Sequence, residues 1–115
     1  MLIPKPWGQE EVLEINDFYM LKRLTMHEGK RCSLQLHKQK RETIYVLEGQ
    51  LLFIFGESVD ALESKIYNPG DSFTVPTNSL HRMQGITDCI YLEASTPEID
   101  DVVRIEDDFN RSQSL

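Results

Sequence analysis

A chain of 115 residues fits one compact domain, since single domains typically run to about 100–150 residues. With 40% hydrophobic and 27% charged residues, it has the balance of a globular protein rather than a disordered or fibrous one. Its 19 acids against 12 bases give a net charge of −7, which argues against non-specific binding to nucleic acid or to an anionic membrane.

Cys32 and Cys89 lack C-x-x-C spacing, and the N-terminus has neither the basic region nor the apolar run of a signal peptide. The longest apolar run, residues 51–55, is far short of a membrane-spanning helix. The expectation is a soluble, cytoplasmic, single-domain protein without membrane or nucleic-acid partners.

In chain order, short apolar or alternating segments fall at 12–15, 18–26, 32–37, 43–47, 50–55, 72–75, 80–84 and 89–94. Val, Ile, Tyr, Phe and Thr are concentrated in them, and turn chemistry separates them at Glu28-Gly29, Glu48-Gly49, Asn68-Pro69-Gly70-Asp71 and Pro76-Thr77-Asn78. Many short strands at such spacing predict an all-β sandwich or barrel. Residues 57–65 lack alternation and read as a connection. The acidic stretch 98–108 reads as a short helix or an extended arm, giving a core of about 10–95, a C-terminal arm at 96–111 and a frayed tail at 112–115.

Successive strand side chains alternate between faces, so Ser33, Gln35 and His37 share one. If that face is interior, a hairpin turn through Lys38-Gln39-Lys40-Arg41 brings Glu42 alongside His37, and His81 supplies a fourth convergent group after the Pro76 turn. Imidazole, carboxylate and amide oxygen together suit a divalent metal, with no thiolate needed. Each residue alone has a plainer reading: a surface histidine, a strand-face glutamine, or a glutamate offsetting Lys40 and Arg41. Their joint spacing favours the metal. His27, beside the Glu28-Gly29 turn and without a partner, reads as exposed.

Gly29-x5-Gln35-x-His37-x4-Glu42-x6-Gly49 resembles the first cupin motif, and Gly70-x5-Pro76-x4-His81 resembles the second. Gln35 stands where most cupins have a histidine, and Asn78 and Gly85 replace a glycine and an asparagine. Q-x-H-x4-E, with Lys5-Pro6-Trp7-Gly8, Lys22-Arg23-Leu24-Thr25, His81-Arg82 and the closing Asp101-Val102-Val103-Arg104-Ile105-Glu106-Asp107…Arg111, is similar to the isomerase domain of type II phosphomannose isomerases, here as a stand-alone version. Lys40 and Thr43 depart from that domain's arginine and histidine, and Phe109-Asn110 from its Tyr-Gly, all near the expected pocket.

The resemblance implies a cupin jelly-roll barrel with N- and C-terminal arms, one divalent ion (Zn, Mn, Co, Fe or Ni) on Gln35, His37, Glu42 and His81, and a homodimer. One face of the 50–55 strand, Leu52 and Ile54 or Leu51, Phe53 and Phe55, would be the surface that dimer buries. The activity implied is interconversion of mannose 6-phosphate and fructose 6-phosphate. Arg111 and Glu42 are then candidate catalytic residues, and Lys22, Lys40, Arg41 and Arg104 candidate phosphate contacts, with Lys40 and Arg41 near the rim. Only one of Lys22 and Arg23 can face the cavity. The general base is open between Glu42 and a metal-bound hydroxide. The alternatives are a non-catalytic sugar or sugar-nucleotide binding cupin, or another cupin enzyme such as an epimerase or dioxygenase.

Overall fold

The computed structural model describes residues 1–108. The strands are β1 (Leu2–Lys5), β2 (Gly8–Ile15), β3 (Met20–Met26), β4 (Leu34–Leu36), β5 (Glu42–Glu48), β6 (Leu51–Gly56), β7 (Leu62–Tyr67), β8 (Ser72–Val75), β9 (Leu80–Gly85), β10 (Cys89–Ser95) and β11 (Val103–Glu106). They form two antiparallel sheets, ordered β1-β2-β3-β10-β5-β8 and β11-β4-β9-β6-β7. From β3 onward the chain changes sheet at every connection except β6 to β7, which is the jelly-roll pattern. No described helix is long and apolar enough to cross a membrane.

The fold follows from alternation. β5 buries Glu42, Ile44 and Val46 and exposes Thr43, Tyr45 and Leu47. β3 buries Met20, Lys22, Leu24 and Met26, which settles the choice at 22 and 23 in favour of Lys22; Arg23 is exposed. Leu24, Ile44 and Val46 from one sheet meet Leu51, Phe53 and Met83 from the other in a single core. On β6, Leu51 and Phe53 point inward while Leu52 and Ile54 are half-buried on the outer face. Cys32 and Cys89 are buried free thiols, and Met83 N–H donates to Cys32 Sγ at 3.2 Å.

Three departures from the sequence reading have one cause. β1, β7 and β11 are strands, although 57–65 reads as a connection and 98–108 as a helix or arm. In the structure a 3-10 turn at Val59–Ala61 leads into β7, and β11 pairs with β4. All three lie at sheet edges. β7 shows no fully buried residue, so its sequence carries no core-facing alternation to read.

Two backbone positions fix corners of the fold, Gly49 at the far end of β5 from Glu42 and Asn78 beside His37. Gly49 has φ +75°, and a Cβ there would sit 2.1 Å from the Asp88 carbonyl oxygen. Only glycine fits. Asn78 has φ +61°, a conformation that Asn tolerates better than most residues, so its replacement of the motif glycine keeps the turn. Its N–H donates to the His37 carbonyl at 2.7 Å, tying together the loops that carry the two motifs.

Candidate metal centre and cavity

The stretch 33–42 is not a hairpin. β4 pairs with β9 and β11 while β5 pairs with β10 and β8, so the chain turns a corner from one sheet to the other between His37 and Glu42. That corner is held from the C-terminal segment. The Asp101 carboxylate accepts the N–H groups of Lys38, Gln39 and Lys40 at 3.2, 2.6 and 2.9 Å. These three bonds outweigh the upward push of burial and hold the Asp101 carboxyl below its ordinary value.

The corner makes His37 and Glu42 converge, and β9 brings in His81. One potential ligand atom from each of the three lies within 4.8 Å of the others. All three residues are buried, His81 completely. His37 Nδ1 lies 2.5 Å from the Asp101 carbonyl and His81 Nδ1 3.0 Å from the Ser79 carbonyl. A carbonyl can only accept, so each Nδ1 carries the proton. The Nε2 of each ring faces Glu42 Oε1, at 3.8 and 3.3 Å, and in the neutral ring it presents a lone pair there. Neither Nε2 has a hydrogen-bond partner among the described residues.

Three acceptors facing one another in a dry site repel unless a cation or protons lie between them. The donor set of two imidazoles and a carboxylate is one that a divalent ion of the zinc, manganese or iron type accepts. The residues therefore fit a metal. Burial pushes the Glu42 carboxyl up, but protons on the two facing Nε2 atoms, with the Lys40 ammonium, pull harder and hold it well below the usual carboxylate range; a bound cation would take the place of those protons. Gln35 sits opposite His81 in the β4–β9 register, with Oε1 accepting from the Ser33 hydroxyl at 3.2 Å, and lines a cavity beside the cluster together with His37 and Glu42.

Beside the cluster opens a cavity of about 460 Å³, the size range of small-molecule sites. Lys22 reaches it while ion-paired to Glu10 at 3.0 Å, and Arg104 reaches it from β11. Lys40 does not stand at the rim. It is 5% exposed, with Nζ 3.1 Å from Glu42 Oε2 and 2.8 Å from Glu93 Oε2. Two buried carboxylates draw this ammonium inward from an otherwise solvated basic run, and they raise its pKa against the effect of burial. Arg41 is exposed and outside the cavity lining. Thr43 points to the outer face, its hydroxyl 2.9 Å from that of Thr74, so its departure from the motif does not touch the cavity. His27 is exposed, as its lack of a partner predicts. Arg111 lies outside the described residues.

Glu93, Glu10, Lys5 and Asp101 are the additions that sequence reasoning missed. Glu93 had a signal: it shares a face with the apolar Cys89 and Tyr91 on β10, and a charged residue on a core face calls for a partner. Burial, then the charge of Glu42, pushes its carboxyl up, with Lys40 and Lys22 partly opposing.

Residues 2–107 match the family described as mannose-6-phosphate isomerase C-terminal. The chain belongs to that family. Mannose-1-phosphate guanylyltransferase ManC of Salmonella typhimurium is 28% identical over 112 residues, covering 93% of this chain and 22% of the relative. The chain thus spans under a quarter of that relative's length. Among solved structures, an RmlC-like cupin from Shewanella frigidimarina has a TM-score of 0.74 at 22% identity, covering 88% of this chain and 86% of that one. The capsular polysaccharide assembling protein CapF from Staphylococcus aureus has a TM-score of 0.79 at 15% identity, covering 92% and 34%. At such identities the structural likeness bears on fold alone, and the fold is that of the cupins. In this member of the isomerase C-terminal family, the two motif histidines and the motif glutamate are the residues that form the cluster.

Proposed function

We propose that this cupin holds one divalent metal on His37, Glu42, His81 and the Gln35 amide oxygen, and interconverts mannose 6-phosphate and fructose 6-phosphate. The observation that supports this reading most is the set of three inward-facing acceptor atoms beside the cavity. Charge supports it as well. The cations Lys5, Lys22, Lys40 and Arg104 line the cavity against the carboxylates Glu10, Glu42, Glu93 and Asp100. This near balance gives a phosphate dianion little net attraction until a dication is added.

When bound, the metal supplies Lewis-acid stabilisation of negative charge on the sugar oxygens. Lys22 and Arg104 hold the phosphate, Arg104 by its planar fork. Glu93 carries the proton. As a carboxylate it takes the C2 proton of the aldose; the C–H electron pair forms the C1–C2 double bond while the C1–O1 π pair moves onto O1, which takes up a proton. The O2 hydroxyl then gives up its proton, the O2 pair forms the C2–O2 double bond, and the C1–C2 π pair takes the proton from Glu93 at C1 to give the ketose. Its raised pKa suits both halves of that transfer. Lys40 holds the Glu93 carboxylate in place. Glu42, engaged by two histidines and a lysine, is the weaker base.

The test is formation of fructose 6-phosphate from mannose 6-phosphate by metal-free protein reloaded with Mn, Co, Ni, Fe or Zn. Turnover in deuterium oxide should place deuterium at C1 of the ketose. Absence of turnover with every metal, while mannose 6-phosphate still binds, would replace the isomerase with a sugar-phosphate binding module.

A further inference from the structure

His37 is the one member of the cluster whose orientation depends on a distant segment. His81 donates to the carbonyl of Ser79, its near neighbour in sequence. His37 donates instead to the carbonyl of Asp101, and the side chain of that same residue closes the 38–40 corner through three N–H bonds. One residue therefore fixes both the His37 ring and the turn that carries the chain on to Glu42.

Asp101 belongs to the segment that walls the cavity. Ile99, Asp100, Val102 and Arg104 all line it, and Val103 and Arg104 pair with Leu36 and Gln35 of β4. The segment sits on a sheet edge, is mostly half-buried, and contributes no residue to the His37, Glu42 and His81 cluster. Beside the β4 ladder, the Asp101 contacts to His37 and to the 38–40 corner are the ones that attach it next to the cluster.

We propose that Asp101 is the positioning residue of the metal centre, and that through it docking of segment 97–106 and loading of the metal are one coupled equilibrium. Resting on the metal reading above, this extends it to order of assembly. A metal fixes the His37 ring, the ring holds the Asp101 carbonyl, and the Asp101 carboxylate seats the corner. The wall carrying Arg104 is then in place before a sugar phosphate arrives. Linkage makes the effect reciprocal: whatever loosens the segment weakens the metal by the same factor.

Calorimetric titration of metal-free protein with Mn or Zn tests the coupling. Partners that orient a liganding histidine are typically worth about 10–100-fold in metal affinity; Asp101→Ala keeps the backbone carbonyl that accepts from His37 but removes the carboxylate that seats it, so it should lose up to about that much. Asp101→Asn, which keeps one carbonyl acceptor, should fall in between and guards against a folding failure of the alanine variant. In wild type, metal should slow amide exchange at 38–40 and across 97–106 at least tenfold. A merely structural role would not move the tautomer of His37, which nitrogen-15 spectra of the metal-free protein report: Nδ1–H in wild type, a mixture in Asp101→Ala. An unchanged affinity and an unchanged tautomer in Asp101→Ala would overturn the proposal. If wild type bound no metal, the metal reading would fall and the coupling with it, while the tautomer would still report on Asp101 as the group that orients His37.

Discussion

Lys40→Met should destabilise the metal-free protein by about 3–5 kcal/mol, the usual cost of removing one partner from a buried ion pair. The methionine fills similar space but leaves Glu42 and Glu93 buried without the ammonium that now lies 3.1 and 2.8 Å from them. Against a total stability of about 5–15 kcal/mol, that loss is plain in a urea titration. It also carries a pH signature. The Glu93 carboxyl is already raised by burial and by Glu42, and losing Lys40 raises it further. The folded state of the variant then binds more protons than the unfolded state between the unfolded value, about 4.3, and the folded one. Stability falls as pH rises through that window, so the deficit should be smaller near pH 5 than near pH 8. A saturating divalent ion should return more stability to Lys40→Met than to wild type, because it restores positive charge to the same carboxylates. A metal-free variant within about 0.5 kcal/mol of wild type, the range of ordinary surface substitutions, would show that the triad is not as buried and coupled as its distances imply.

Glu93→Gln should lower kcat by about 10²–10⁴-fold, the range that a positioned proton carrier contributes, while metal affinity and KM change little. Glutamine keeps the volume and a carbonyl acceptor for Lys40 but cannot take a proton from carbon. Paired steady-state kinetics and metal titration check this. A parallel loss of metal affinity would make Glu93 a support for Glu42, and an unchanged kcat would return the proton transfer to Glu42 or to another group.

The parts of this site legible in the sequence are those encoded locally. A strand's two-residue period puts Gln35 and His37 on one face, and the motif spacing proposed Glu42 and His81 as their partners. What stayed hidden depends on distant partners. Lys38-Gln39-Lys40-Arg41 reads as a solvated basic turn, since nothing local reveals that Glu93 on β10 will meet Lys40 beneath the surface. The corner at 38–40 reads as a hairpin because the Asp101 carboxylate that stabilises the alternative lies more than 60 residues away along the chain. The edge strands β1, β7 and β11 were illegible for the opposite reason: exposed on their outer sides, they need no core-facing pattern.

The proposed metal site stands on the convergence of His37, Glu42 and His81. Titration of metal-free protein with Mn, Co and Zn, followed by calorimetry and by metal content after desalting, tests it most directly. One ion per chain should bind in wild type, and His37→Ala and His81→Ala should each weaken it more than 100-fold, beyond the roughly 10–100-fold effect of losing an outer partner. Metal retained at full affinity by either alanine variant, or no stoichiometric binding by wild type, would contradict the account.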